Sequence, residues 1–159
     1  MRKWLGHLMA FGIVSTSMAL EPKEVMEWPR TKVENALPDS HPMAYYVYAS
    51  RLFSEGDRGD ALFWYYVGEL RYRFYLAANP NLPSDAAPAL FASLHESVGS
   101  VVTDHGKALG TSAAAELQRA LDWDASHHNG VTSKSLHAKD WLRIRADFSK
   151  IELGSSTGP

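Results

Sequence analysis

The sequence predicts an all-α protein with five or six helices around a central aromatic-rich helix. In the 159 residues, no stretch longer than four alternates between apolar and polar side chains as a half-buried strand does. Apolar residues instead recur three or four positions apart in several segments, which is the spacing of one helix face. Glycines and prolines separate these segments into distinct elements.

The composition limits the class of protein. Hydrophobic residues make up 45% of the chain and charged residues 21%, which fits one soluble domain and excludes a collagen, a disordered acidic tail and a multi-span membrane protein. The 16 Lys and Arg against 18 Asp and Glu create no basic field, so no nucleic-acid partner is expected. The chain has no cysteine, which excludes a disulfide scaffold, a thiol nucleophile and an iron–sulfur cluster.

Residues 1–19 have the pattern of an export signal. Two basic residues follow Met1, a largely apolar run covers 4–14, and Ser17 and Ala19 supply the small side chains that a signal peptidase reads. The run is too short to cross a bilayer as a helix, which needs about 20 residues. We therefore predict cleavage after Ala19, a periplasmic or secreted location in a bacterium, and no membrane span in the mature chain. The alternative is a buried apolar N-terminal helix.

Three prolines mark the segment that follows the export signal. Pro22, Pro29 and Pro38 each disfavour helix in the residue before them. Residues 20–41 are therefore predicted to form an extended arm.

A helical domain is predicted over residues 42–153, followed by a disordered tail at 154–159. Its first helix should end at Gly56, which can adopt the left-handed conformation that stops a helix. The expected helices are 42–55, 57–78, 85–98, 111–123 and 133–153, with a loop or short helix at 101–109 and a turn at 127–132.

The helix over 57–78 is apolar on two sides, which predicts a central element with neighbours on both. Its two stripes repeat every three or four residues and consist of Ala61, Tyr65, Gly68, Tyr72 and Tyr75, and of Phe63, Val67, Leu70 and Phe74. Glu69, Arg71 and Arg73 interrupt this cover and should lie on an exposed edge, where Glu69 and Arg73 form a favourable i,i+4 pair. Residues 45–75 hold 11 of the 18 aromatic residues, which places the core or a binding face here.

One part of the chain resembles a known helical repeat. The residues that carry the likeness keep a fixed order, Ala49, Leu52, Phe53, Gly56, Ala61, Trp64 and Tyr65. Over about 45–71 this order is similar to one hairpin of the tetratricopeptide and Sel1-like repeats, and the rest looks like a small exported bacterial protein of unassigned family. The resemblance implies two closely packed antiparallel helices, completed by the later ones, and a role in binding a protein partner.

The same helix supplies the candidate protein-binding residues. These are Glu69, Arg71, Tyr72, Arg73 and Tyr75. Tyrosine and arginine contribute much of the binding energy at protein interfaces, which makes a protein-binding edge the functional interpretation. The structural alternative is that the arginine stems lie over core aromatic rings.

A second group of residues could ligate a metal ion. It consists of Asp122, Asp124, His127, His128 and His137, whose carboxylates and imidazoles suit a divalent cation. Because their spacing matches no known metal motif, we favour a polar helix end and turn. Nucleophile-elbow, phosphate-loop and dinucleotide-binding motifs are absent from the sequence, so no cofactor is expected.

Together these observations predict an exported, non-catalytic domain that binds a protein in the cell envelope. It would be a monomer or a weak dimer. A periplasmic inhibitor or immunity protein, directed against a toxin or enzyme, fits its size, and an envelope scaffold fits nearly as well. The alternative from another class is a metal-dependent enzyme that uses the Asp122, Asp124, His127 and His128 cluster.

Overall fold

The computed structural model describes residues 19–109 and 111–155, and over this range the chain is helical and contains no strand. The predicted all-α class is therefore confirmed. The segment 1–18, which carries most of the expected export signal, lies outside the described residues, as do Gly110 and 156–159.

Two short helices replace the expected extended arm. They are α1 (Pro22–Glu27) and α2 (Arg30–Ala36), and a 3₁₀ turn at Leu37–Asp39 follows. Glu21 and Trp28 are extended, with ψ of 149° and 153°, as residues that precede proline should be. The prolines that follow them start helices rather than prevent them, because a first-turn position needs no backbone N–H.

Helices α3 (Met43–Ser54) and α4 (Arg58–Ala78) lie where the sequence predicts them. Gly56 between them has a φ of +88°, the left-handed conformation expected at this stop. Arg30 of α2 clamps the connection, donating to Glu55 at 2.6 Å and to Asp57 at 2.7 Å. Three helices therefore meet at this turn.

The pair α3 and α4 forms a close antiparallel hairpin. Gly68 lies against Tyr45, and a Cβ added at position 68 would be 2.7 Å from the Cβ of Tyr45. Tyr45 precedes Gly56 and Gly68 follows it, at similar distances along the chain. Two residues that are equally far from a turn can meet in this way only when the helices are antiparallel. The missing side chain of Gly68 allows the two backbones to approach this closely.

The second half of the chain is more continuous than expected. Its elements are α5 (Ala87–Leu94), a π-turn (His95–Gly99), α6 (Ser100–Leu109), α7 (Thr111–Ser126) and α8 (Ala138–Ser155). The helix expected over 85–98 should have ended at position 98, but Gly99 is buried within the π-turn and α6 follows directly. Residues 154 and 155, expected in the tail, belong to α8.

Helix α4 is the centre of the fold, as its two apolar stripes predict. It contacts α3, α5, α6, α7 and α8. Thirteen of its 21 residues are buried, which include both stripes except Tyr75. Because helices surround it, α4 has little exposed edge on which to carry charged residues.

Candidate functional site

The structure corrects the candidate protein-binding edge. Glu69, Arg71 and Tyr72 are at most 1% exposed and cannot contact a partner. Arg73 keeps 29% of its side chain exposed, and Tyr75 is half-buried. The expectation failed because neighbouring helices cover the side of α4 that its charges had marked as exposed.

Arg71 instead lies in the protein interior and satisfies its guanidinium there. It donates to Asp124 of α7 at 3.0 Å, to the hydroxyl of Tyr45 at 2.7 Å and to the backbone carbonyl of His128 at 2.7 Å. Its guanidinium also lies 4.8 Å from the centre of the Trp123 ring. A buried charge requires this degree of hydrogen bonding to offset its desolvation.

Asp124 is the centre of what we call the Asp124 cluster, formed with Arg71 and its partner Tyr45, and with Lys134, Trp141 and Arg145. Its Oδ2 accepts from the indole of Trp141 at 2.9 Å and from Arg145 at 3.2 Å, and Lys134 lies 3.5 Å from Oδ1. Three cations therefore surround one carboxylate.

The end of α7 accounts for this excess of positive charge. The last carbonyls of a helix lack partners within it and carry part of a negative helix dipole. Lys134 donates to the carbonyls of Asp124 and His127, and Arg145 donates to that of Leu121 at 2.8 Å. The Asp124 cluster thus satisfies a helix end and joins α3, α4, α7 and α8, which is a structural role.

Burial changes the acid–base properties of this cluster. Desolvation raises the pKa of Tyr45 well above its usual value, although the charge of Arg71 opposes the shift. Desolvation also lowers the pKa of Lys134, while Asp124 partly offsets the effect. Both shifts follow from enclosure of the cluster among the helices.

The five candidate metal ligands do not converge on one point. The Asp124 carboxylate is already used by the cluster, and the ring of His127 stacks on Trp123 at 4.1 Å. His128 turns away to Asp39, with Nε2 2.9 Å from its carboxylate. Asp122 accepts from Gln118, and the ring of His137 faces Phe74. Among the described residues, no group of three or more acidic or histidine side chains could hold a metal ion.

A second polar cluster joins α4 to the π-turn, and we call it the Glu69 cluster. Arg73 donates to Oε1 of Glu69 at 2.5 and 3.0 Å, and Nδ1 of His95 lies 3.6 Å from the same oxygen. The hydroxyl of Tyr65 lies 3.0 Å from that Nδ1. Within the described part of the chain, Oε2 of Glu69 has no hydrogen-bond partner, although the side chain is fully buried.

Sequence reasoning did not place His95 beside Glu69. The i,i+4 spacing of Glu69 and Arg73 correctly indicated their pair, but His95 comes from a distant segment through an irregular turn. Residues 95–99 form a π-turn, in which each residue turns the chain by a smaller angle than in an α-helix. The α-helical spacing therefore does not indicate in which direction residues after position 94 point. The signal that the sequence offers is that residues 86–94, which precede His95, carry no charged side chain.

Tyr72 and Tyr75 link the same region to the N-terminal half. The hydroxyl of Tyr72 donates to the carbonyl of Ala87 at 3.1 Å, and burial raises the pKa of Tyr72 to about 12. The ring of His41 packs edge-on against both tyrosines, at 5.3 and 5.1 Å. Tyr72 also lies 5.1 Å from the ring of Phe91 in α5. These contacts hold α5 to the helical core.

Helix α5 is almost entirely apolar and yet lies at the surface. Its sequence contains a single polar residue, Ser93, yet the structure describes all eight residues and buries none. Leu90 is 38% exposed, while Phe91 and Leu94 pack partly against the core. We call the exposed side chains of Ala89, Leu90, Ala92, Ser93 and His95 the α5 surface. It is an uncharged, largely apolar patch with one histidine at its end.

Comparison with known proteins adds no assignment. No protein-family model matches the chain, and no match was found among curated proteins or solved structures. Across the described ranges, no helix is both long and apolar enough to span a membrane.

Proposed function

We propose that this protein is an exported, non-catalytic domain that binds another protein through the α5 surface. The observation that carries the proposal is the exposure of a helix made almost entirely of apolar residues. Exposed apolar patches on otherwise polar proteins are typical of interaction sites. The α5 surface replaces the face of α4 that the sequence had suggested.

The chemistry of the α5 surface defines the kind of partner. Its small residues, Ala89, Ala92 and Ser93, allow the backbone of another helix to approach closely, and Leu90 can fill a groove in it. Exposed Asp85 and Glu96 lie at the two ends of this segment. The partner that fits is a protein with an apolar helical face bordered by basic residues.

An inhibitor or immunity protein is the more specific form of this proposal. Without residues 1–19 the chain would carry a formal charge of −4, from 14 basic and 18 acidic residues. Such a charge increases the rate of association with a basic target and makes it sensitive to salt. A scaffold in the envelope would use the same surface. A toxin gene beside this one would favour the immunity role.

The likeness of residues 45–71 to a tetratricopeptide or Sel1-like hairpin remains part of the proposal. It agrees with protein binding in kind, because those repeats act as binding modules. We do not retain the metal-dependent enzyme, since Asp124 and His128 make other contacts.

Capture from envelope extract tests the proposal. The protein should retain a discrete partner, and Leu90→Glu should abolish its capture by placing a charge in the apolar contact. Leu142→Glu is the matched control, because Leu142 of α8 is a 60% exposed leucine outside the α5 surface. Equal loss in both variants, or capture that neither affects, would contradict the use of α5.

The export part of the proposal has its own measurement. The intact mass of the protein recovered from the envelope should correspond to a chain that begins at Leu20. A mass that includes Met1 would contradict cleavage after Ala19.

A further inference from the structure

We propose that a second copy of this chain docks on the α5 surface through an exposed leucine just before α8. The contact uses the surface of the proposed function with a different occupant, so it requires neither export nor an envelope partner. Two exposed leucines carry the proposal, one beside acidic residues and the other beside basic residues.

Leu136 lies almost entirely in solvent. It is 81% exposed, more than any other large apolar residue whose side chain the structure describes. The turn that contains it leads into α8, because the N–H of His137 donates to the carbonyl of Ser133 at 3.1 Å and that of Trp141 donates to the carbonyl of His137 at 3.0 Å. Both bonds span four residues, so the helical spacing of α8 extends back to Leu136.

Three basic residues follow Leu136 on one face of α8. They stand three, seven and fourteen positions after it, which are spacings of a single helix face, and all three are exposed. We call this face the Leu136 surface, which consists of Leu136, Lys139, Arg143 and Lys150. Asp140 and Asp147 lie 3.0 and 3.9 Å from Arg143 and offset part of its charge. Lys139 and Lys150 leave the surface with an excess of positive charge.

The α5 surface lies in an acidic part of the chain. Residues 74–106 include three acidic residues and no Lys or Arg. Two of the acids, Asp85 and Glu96, are exposed before and after α5. Leu90 lies between them in the sequence and is 38% exposed. The two surfaces therefore share an exposed leucine and are opposite in charge.

Charge complementarity selects one of three contacts that two copies could make. If two α5 surfaces met, Asp85 and Glu96 of each copy would lie beside the acids of the other. If two Leu136 surfaces met, Lys139 and Lys150 would lie beside basic residues. Like charges across a contact oppose binding, whereas opposite charges favour it. The favoured contact joins the α5 surface of one copy to the Leu136 surface of the other, which is a heterologous contact between different patches.

The two surfaces also match in the spacing of their apolar and charged groups. Glu96 follows Leu90 by six residues, about 9 Å along a helix, and Arg143 follows Leu136 by seven, about 10 Å. Leu136 can therefore lie against Leu90 while a basic residue meets Glu96. Within one copy both leucines stay exposed, so docking removes from water apolar area that folding leaves there.

This contact would cover the α5 surface when no other partner is present. It involves few residues, so we expect weak association that depends on concentration rather than a permanent dimer. An envelope partner needs the same side chains of α5. Self-association and partner binding would therefore exclude each other.

Sedimentation velocity of the purified protein alone tests the contact. The weight-average sedimentation coefficient should rise with protein concentration and fall when salt is added, because salt screens the opposite charges. Leu90→Lys places a cation against the Leu136 surface, and Leu136→Glu places an acid against the α5 surface. Each should weaken self-association by about tenfold or more. Both leucines are exposed, so circular dichroism should show the helix content of the parent in each variant.

A mixture of the two variants separates a heterologous contact from a symmetric one. Leu90→Lys keeps an intact Leu136 surface, and Leu136→Glu keeps an intact α5 surface. An equimolar mixture should form a 1:1 dimer at a concentration where neither variant associates alone. If the contact joined two α5 surfaces, Leu136→Glu alone would associate as the parent does, which would overturn the inference.

Leu142→Glu is the matched control for Leu136→Glu. Leu142 is a 60% exposed leucine of α8 that lies six residues after Leu136, about 120° away around the helix. The control should associate as the parent does, and an equal loss in both variants would contradict the contact. So would a parent that stays monomeric at every concentration. If that parent bound phosphatidylglycerol vesicles and Leu136→Glu did not, the Leu136 surface would serve an anionic membrane instead.

The two proposals can fail separately. Leu136→Glu should lose self-association and still capture an envelope partner through its intact α5 surface. A protein that self-associates in this way but captures no partner would contradict the proposed function alone. A protein that captures a partner through Leu90 but stays monomeric would contradict only the self-association.

Discussion

Helices α4 and α5 are both rich in apolar residues, yet the fold treats them in opposite ways. Thirteen residues of α4 are buried, including Glu69 and Arg71, whereas every residue of α5 is at least partly exposed. Apolar content therefore does not decide burial in this chain. The number of neighbouring helices does, since five helices contact α4.

The charges enclosed around α4 are held by residues distant in sequence. Arg71 and Asp124 are 53 positions apart, and Glu69 and His95 are 26 apart. Such pairs can form only when the helices assemble, so they couple α4 to its neighbours. The comparison assigns α4 to the stability of the fold, and it leaves α5 as the surface that we propose for recognition.

The most severe test of the α4 environment is Asp124→Ala. The variant leaves three cations around an empty position, with Arg71 buried and without its carboxylate. Breaking one side of a buried ion pair costs about 3–5 kcal/mol. Denaturant unfolding should show a loss of this size.

Asp140→Ala is the matched control for this variant. Asp140 pairs with Arg143 at 3.0 Å, but both side chains are more than one-third exposed. Exposed pairs contribute about 0–1 kcal/mol, so unfolding should change little. Similar losses in the two aspartate variants would show that the Asp124 cluster is not a structural centre.

Gly68→Ala tests how closely α3 and α4 pack. The added Cβ would lie 2.7 Å from the Cβ of Tyr45 and 3.3 Å from the Tyr46 ring, so the helices must separate. Overpacking of this kind costs about 1–3 kcal/mol, which exceeds the helix propensity that alanine adds. The unfolding midpoint should fall.

Gly59→Ala makes the same change within the first turn of α4, where there is space. The nearest atom to its new Cβ would be Oε1 of Glu116 at 4.0 Å. The variant should be unchanged in stability or gain up to about 1 kcal/mol. Equal destabilisation by both substitutions would contradict close packing at Gly68 as the cause, because only Gly68 lacks space for a Cβ.

Local patterns predicted the helices well, because they depend on residues that are near in sequence. The 3.6-residue period placed α3 and α4, and Gly56 ended the first helix as expected. The Glu69 and Arg73 pair was also predictable, since four residues make one helical turn.

Burial of charged residues and the positions of α1 and α2 were not predictable in this way. Arg71 is buried because Asp124 and the end of α7 come to meet it, and no local pattern contains that contact. Prolines can start helices as well as interrupt them, so Pro22 and Pro29 were ambiguous. The α5 surface emerged only once the neighbours of each helix were known.

His41, whose ring packs against Tyr72 and Tyr75 of α4, makes the stability of the fold depend on pH. Burial lowers the pKa of His41, and its Nδ1 accepts from the N–H of Met43 at 3.2 Å, which holds the ring neutral. The unfolded chain binds a proton at its ordinary pKa of about 6.5, whereas the folded state does so only at lower pH. Stability from this group is therefore present above about pH 6.5 and is lost as pH falls through the lowered value.

His41→Asn should reduce the loss of stability at low pH, because asparagine keeps an acceptor for the N–H of Met43 but does not titrate. Unfolding free energies measured between about pH 5 and 8 give the slope for each protein. His128→Asn, at an exposed histidine, should leave it nearly unchanged. An identical slope in His41→Asn would assign the pH dependence to other groups.

The smallest expected effect is that of Leu90→Ala, which removes the largest aliphatic side chain of the α5 surface. Leu90 is 38% exposed and is not among the residues that pack against the core. The substitution should therefore lower the free energy of unfolding by at most about 0.5 kcal/mol. Leu62→Ala removes the same atoms from a fully buried position in α4 and should cost about 2–5 kcal/mol. If denaturant unfolding gives the two leucines equal losses, α5 belongs to the core and cannot be the surface that a partner occupies.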